Sequence, residues 1–544
     1  MNTRQLQTDK NQKLYHALLG ILLVCALAMM MLLSYWACKY SYYGAVDGRT
    51  RGVLVGDKTW AHIAVFLAAS LCAMGIDKVL MKKDKSQQEK ICLCTLIVTS
   101  VIAFILGVFY VCKNPYYPVG DQINTTAFAA YCRDGNFIML SNGGYVGMYQ
   151  QQKGLGILYE ILFTLFGDFN YRPAKILHVV WWILTILAGY GFLKLNTDRP
   201  VFRMLYCVMM LGCFPLLFYL PYIYGDVLSI SFGIILFYGV AAYEHSGQKR
   251  YIALASFAAG LAVLARKNTW IVLVAVAVYA LLVSLRKKKV RYLVAGTAIL
   301  LTAALSVKAV DVSYEVRSGY PSGIGIPSIL WVAMGLQETE GRAGVYNRYQ
   351  QATFTDYDCQ QELAAQQGKE YIRERLEEFS QDPGMAFNFF KNKLEGQWIE
   401  PMYAALESTE SFEEGAELSP VLESLYYGEL GRTIWKLTNY YQSILYLTGL
   451  MALVMLGILW WKKKEVPTSL WLPWIAVFGG FLFSILWEAK SRYVFPYCVF
   501  MILYAPEGLY QMGLLLCKLP KLRKFKKSGH TQDKGEEASL RETA

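Results

Sequence analysis

The residues able to do chemistry are few and oddly placed. Asp121 sits in a polar, Gly- and Tyr-rich stretch, Asn114-Pro-Tyr-Tyr-Pro-Val-Gly-Asp-Gln122, which continues through Gly143-Gly144-Tyr145 to Gln151-Gln152-Lys153-Gly154 and is squeezed between long apolar runs. Lys153, Arg266, Lys267, Lys490 and Arg492 stand at the ends of other apolar runs, accompanied by Asp226, Glu488 and Tyr493. Several cations converging at one membrane face suit an anionic lipid headgroup, because Lys and Arg neutralise phosphate directly. A carboxylate beside them is placed to act as a general base. Glycosyl transfer from a lipid phosphate requires that pairing: the phosphate leaves as a stable anion held by cations, while one carboxylate takes the proton of the attacking hydroxyl. The competing interpretation for any single cation is a solvated turn or a snorkelling side chain.

The elements that must position these residues are apolar helices. The chain of 544 residues is 55% hydrophobic and only 17% charged, against roughly 25% charged in average soluble chains. A polytopic, all-α membrane protein is therefore expected. The net charge of +12 falls in short clusters between apolar runs, which is a topology signal and excludes nucleic acid as the partner. Clusters at the N-terminus (Arg4, Lys10, Lys13), at Lys82 to Lys85, at Arg286 to Lys289 and at Lys462 to Lys464 mark the cytoplasmic side. About twelve spans with both termini cytoplasmic follow from the apolar lengths and the basic loops. Asp121, Asp226, Arg266 and Arg492 then share the external face, and the cell membrane is the expected location. The apolar run 155–167 is too short to cross and is expected to be a half-helix or juxtamembrane helix.

Four regions result: an N-terminal membrane module, 1–310, with its catalytic external loop at 113–171; an extracytoplasmic segment, 311–432; a C-terminal membrane module, 433–517; and a basic cytoplasmic tail, 518–544. Within the segment, Gln360 to Phe379 and Ala386 to Trp398 have helical composition, with Pro383-Gly384 between them. The twelve cysteines are scattered. Those inside apolar runs behave as small hydrophobes, while Cys132 and Cys359 fall on the same expected side and are candidates to pair. Cys92 and Cys94 have no companion pair or His cluster, so no metal site is expected.

In order and sidedness the motifs resemble the GT-C superfamily of lipid-phosphosugar-dependent glycosyltransferases, in the branch of protein O-mannosyltransferases and lipid A aminoarabinose transferases. Gly120-Asp121 resembles that family's acidic loop motif. Gln152-Lys153-Gly154-Leu155, followed by Leu165-Phe166-Gly167-Asp168 and Arg172, is similar to its Glu-Lys-Pro-Pro-Leu segment and the short helix after it. Phe214-Pro215-Leu216 to Asp226 and Leu264-Ala265-Arg266-Lys267-Asn268 resemble its Ser-Pro-Leu and Leu-Thr-Arg-Pro-Asn segments, and Glu488 to Tyr493 its Glu-x-x-x-Arg-Tyr motif. The resemblance implies a fold of GT-C type and a polyprenyl-phosphate sugar donor. It implies an envelope glycan, lipid or protein as acceptor, and Asp121 as the catalytic residue. Lys153, Asp226, Arg266, Lys267, Glu488, Arg492 and Tyr493 are the expected substrate-binding residues. Gly120-Asp121-Gln122 stands where the family has a doubly acidic pair, so a divalent cation is not favoured as a cofactor. Two further readings are a transporter or flippase of a lipid-linked sugar, which would bind phosphate without chemistry, and an assembly protein whose segment 311–432 binds a partner.

Overall fold

The computed structural model describes residues 3–43, 53–464 and 466–518. The expected basic tail, from 519 on, lies outside them. Strands among the described residues amount to two small hairpins, Tyr40–Tyr43 with Val53–Gly56 and Glu338–Thr339 with Arg342–Ala343. The rest of the regular structure is helical, because the apolar runs exceed strand length and every backbone polar group in an apolar medium must be satisfied within its own segment.

Nine helices among the described residues are long and apolar enough to cross a membrane. A tenth is reached if Ser491–Met501 and Ala505–Lys518, bent by 60° to one another, form one broken span. The chain is thus an all-α, multi-pass membrane protein by the length and composition of its helices. Two further apolar runs are carried by shorter helices. The run near 204–220 is divided into Pro200–Gly212 and Phe214–Phe218, where Pro215 in the first turn of the second piece supplies no backbone N–H. The run near 251–265 is the 17-residue helix Lys249–Ala265, about 26 Å long at 1.5 Å per residue.

The helices alternate in direction, so their connections gather at two ends. At one end the basic loops are tied down by ion pairs: Arg203 to Glu89, Arg199 to Asp77 at 3.2 Å and Lys287 to Glu244 at 3.0 Å. Asp84 caps the helix Lys85–Lys113 there by accepting from the Gln87 N–H at 2.9 Å, which satisfies one of the donors a helix start leaves open.

At the other end the connections are long and carry the candidate residues. The helix Arg291–Ser318 runs past 311 and stops at Gly319, whose left-handed backbone accommodates the C-terminal turn. The following segment forms the helices Ser328–Gly335, Tyr349–Asp356, Gln361–Gln381 and Pro383–Trp398, and it is seated on the helix ends. Gln397 and Trp398 both donate to Ser484, at 3.1 and 3.0 Å. The Ala489 N–H donates to the Gly344 carbonyl at 2.7 Å, and the Tyr117 N–H to the Ser411 carbonyl at 2.9 Å. These hydrogen bonds seat the segment as a roof over the space beneath it.

Candidate functional site

Between that roof and the helix ends lies a cavity of about 1050 Å³. Six of the eight expected residues line it: Asp121, Arg266, Lys267, Glu488, Arg492 and Tyr493. They come from separate places in the chain, brought together because each ends or begins a helix at the same end of the bundle.

Asp226 lies directly behind the lining and organises two of these residues. It opens the helix Asp226–Ser246 and is 3% exposed. The Arg266 guanidinium donates to its Oδ2 at 3.1 Å, and the Arg492 Nε is 4.0 Å from its Oδ1. Gly225 makes this approach possible: a Cβ there would stand 2.0 Å from the Ala265 carbonyl oxygen, so no other residue fits without moving the backbone that carries Arg266. The guanidiniums are held further by tyrosine rings. Arg266 lies 5.1 Å from the centre of Tyr224 and 5.5 Å from that of Tyr493. Arg492 lies 5.2, 5.4 and 5.6 Å from Tyr222, Tyr224 and Tyr493 and donates to the Tyr222 hydroxyl. Two cations share one buried carboxylate, so the cluster retains one positive charge, with Lys267 and Lys490 beside it on the lining. That surplus, held over ring faces, is chemistry suited to an anion.

Asp121 is the first residue of the helix Asp121–Arg133. The preceding Gly120 has φ of 57° and ψ of −125°, a backbone conformation that strains any residue with a side chain. The Tyr145 hydroxyl donates to Asp121 Oδ1 at 2.8 Å, and among the described residues Oδ2 accepts no hydrogen bond. Burial, with the carboxylate beside it, raises the Tyr145 pKa, so this phenol remains protonated as a donor. Asp121 is exposed to the cavity and has one oxygen available to a ligand hydroxyl.

Glu488 is another acidic side chain on the lining. It is 6% exposed, and burial pushes its pKa up to about 7, against the pull of Lys490. Its one side-chain partner among the described residues is the Tyr493 hydroxyl at 3.3 Å. Lys393, 1% exposed, also faces the cavity and donates to the Gly335 carbonyl. Burial lowers its pKa to about 7, partly opposed by Glu488. The cavity therefore places an arginine cluster opposite the exposed Asp121 carboxylate and the buried Glu488, a combination suited to binding a phosphate and withdrawing a proton.

Asp226, expected among the substrate-binding residues, stands behind the lining instead, and two further expectations change. Lys153 does not join the cations around the cavity. It lies in the helix Gln152–Phe166, 3% exposed, with its ammonium 2.6 Å from the Ser322 hydroxyl and 3.4 Å from Asp311. Neighbouring helix residues point about 100° apart, since 3.6 residues make a turn, and it is Gln152 that lines the cavity and donates to Tyr224. Cys132 and Cys359 are both free, and they pack in different apolar clusters, around Phe128 and around Phe354. Among the described residues no group of three or more His, Cys, Asp or Glu side chains is arranged to hold a metal ion.

Tyr222 and Tyr224, whose rings carry the arginines, are not among the expected residues, although both lie in the turn leading to Asp226. Lys393 is another. The signal for that residue is a lysine on a helix whose neighbours Phe389, Leu394 and Trp398 are all buried.

No protein-family model matches the chain, and no curated protein and no solved structure is significantly similar to it.

Proposed function

We propose that the chain is a glycosyltransferase of GT-C type, with about twelve spans, that moves one sugar from a polyprenyl-phosphate carrier to an envelope acceptor on the external face, with inversion. The observation that carries this reading is the single cavity in which Asp121, with a free carboxylate oxygen, faces the same space as the Arg266 and Arg492 pair. Its arrangement at one end of the bundle is what a donor anchored in the lipid by its prenyl tail needs.

In this reaction the acceptor hydroxyl gives its proton to Asp121 while its oxygen bonds to the sugar C1. The bond from C1 to the phosphate oxygen breaks, and its electron pair stays on the phosphate. Arg266, Arg492, Lys267 and Lys490 stabilise the charge that develops there, in a site whose donors are already oriented and need no reorganisation. Asp226 positions the two arginines, and Tyr145 fixes the Asp121 carboxyl.

Binding of a polyprenyl phosphate to the protein in phosphatidylcholine nanodiscs tests the reading. Removing one partner of a desolvated charged contact costs about 2–5 kcal/mol, so Arg266→Ala and Arg492→Ala should weaken binding about 30-fold or more. Wild-type affinity in both variants would remove the phosphate site and with it the proposal.

A further inference from the structure

The basic end of the bundle holds a cavity of its own, of about 800 Å³. It lies where the helices Arg172–Asn196, Asp226–Ser246, Trp270–Lys287 and Glu429–Trp461 end, against the first helix, Thr3–Lys39. Among the described residues its lining carries four cations, Arg286, Lys287, Lys463 and Lys464, against one carboxylate, Glu244, a surplus of three positive charges. That carboxylate is already engaged, by Lys287 at 3.0 Å and by the Tyr279 hydroxyl. Arg286 is held in place through Nη1, which donates to the Val466 carbonyl and, at 2.7 Å, to the Thr468 hydroxyl. The Lys463 and Lys464 side chains are exposed and make no ion pair or hydrogen bond among the described residues.

Positive charge at this end follows from topology alone, and the cluster Lys82 to Lys85, which does not line the cavity, needs no other account. The four lining cations differ in enclosing a concave space with apolar walls. Leu19, Leu195, Val466 and the Trp460 and Trp471 side chains form those walls. A Cβ at Gly20 would stand 3.1 Å from the Trp460 ring, so the ring closes the seam between the first helix and Glu429–Trp461. Beside the cavity the same two helices present Leu14, Ile21, Ile458 and Trp461 to the exterior. A small aqueous anion makes no use of that surface, whereas an acyl chain packs along it. Basic pockets between membrane helices take phosphate-bearing lipid headgroups, with Arg offering N–H donors to phosphate oxygens and Lys a compact charge.

We infer that this cavity binds the phosphate of an anionic phospholipid from the leaflet at the basic end, with Arg286, Lys463 and Lys464 on the phosphate oxygens and the acyl chains along the exposed faces of Thr3–Lys39 and Glu429–Trp461. It is a second site, at the opposite end of the bundle from Asp121, and it stands independently of the transferase reading.

Native mass spectrometry of the full-length protein in detergent, with phosphatidylglycerol and phosphatidylcholine supplied in equal amounts, tests the inference. Phosphatidylglycerol should be retained in preference. A lysine near a lipid phosphate contributes about fivefold in affinity, so Lys463→Gln combined with Lys464→Gln should weaken phosphatidylglycerol binding about 25-fold. Lys82→Gln with Lys83→Gln, at the same end, and Lys267→Gln, at the other cavity, should leave it unchanged. All of these positions are exposed, so the fold is kept. Equal retention of the two lipids overturns the site. So does equal weakening by the two double variants, which is attraction to a basic surface in general, and so does weakening by Lys267→Gln alone, which places the lipid beside Arg266. Displacement of phosphatidylglycerol by excess inorganic phosphate would assign the cavity to a soluble anion and overturn the lipid.

Discussion

Asp226→Asn is the most informative single change in the arginine cluster, because it removes a charge and almost no volume. The carboxylate is 3.1 Å from Arg266 and 4.0 Å from Arg492, and at an effective dielectric near 20 each such contact is worth about 4–5 kcal/mol before desolvation is subtracted. Breaking a buried ion pair by deleting one partner costs about 3–5 kcal/mol net. Here both arginines lose their counter-charge and face each other, so a loss of at least ~3 kcal/mol is expected even with the amide still hydrogen bonding. Unfolding equilibria in mixed dodecylmaltoside and SDS micelles measure it. Adding Arg492→Met removes one of the two stranded cations and should return about 1 kcal/mol or more, a coupling that independent sites do not show. If Asp226→Asn costs less than about 1 kcal/mol, or if the two changes simply add, the shared carboxylate is not what holds the arginines.

Glu488 gives a pH signature of defined sign. Its carboxyl in the folded protein keeps a proton up to about 7, which the unfolded chain releases near the ordinary value of 4.5, so stability falls as pH rises through that window, by about 3 kcal/mol for two to three units. Glu488→Gln should flatten the difference between pH 4.5 and 7; an unchanged slope would place the proton elsewhere. Lys153→Met leaves Asp311 without its partner and should lower stability by about 1–3 kcal/mol while leaving polyprenyl phosphate affinity as in wild type. A tenfold weaker affinity would return Lys153 to the phosphate site.

The shared location of residues as distant as Asp121, Arg266 and Arg492 was legible because basic residues at the ends of apolar runs opposite the basic loops break a strong rule of composition. The rule gives an end of the bundle, not a direction around a helix. It could not separate Gln152, which faces the cavity, from Lys153, which turns away from it. Asp226 had the right place but serves to position the arginines rather than to face the ligand, because two residues at one end become partners only when a glycine such as Gly225 lets their backbones touch. Lys393 was illegible for another reason. It belongs to the segment between the membrane modules, where neither apolar length nor basic loops constrain the path. Only the packing of Gln397 and Trp398 on Ser484 brings the helix of Lys393 to the cavity.

The proposed transfer leaves its clearest trace in the carrier-lipid pool. In cells carrying only Asp121→Asn, mass spectrometry of polyprenyl-linked sugars should show one carrier-linked sugar accumulating and one envelope decoration lost. The purified variant should bind polyprenyl phosphate as wild type does, since a positioned base contributes about 10²- to 10⁴-fold to rate and little to binding. Normal decoration and an unchanged carrier pool in that strain would contradict the account.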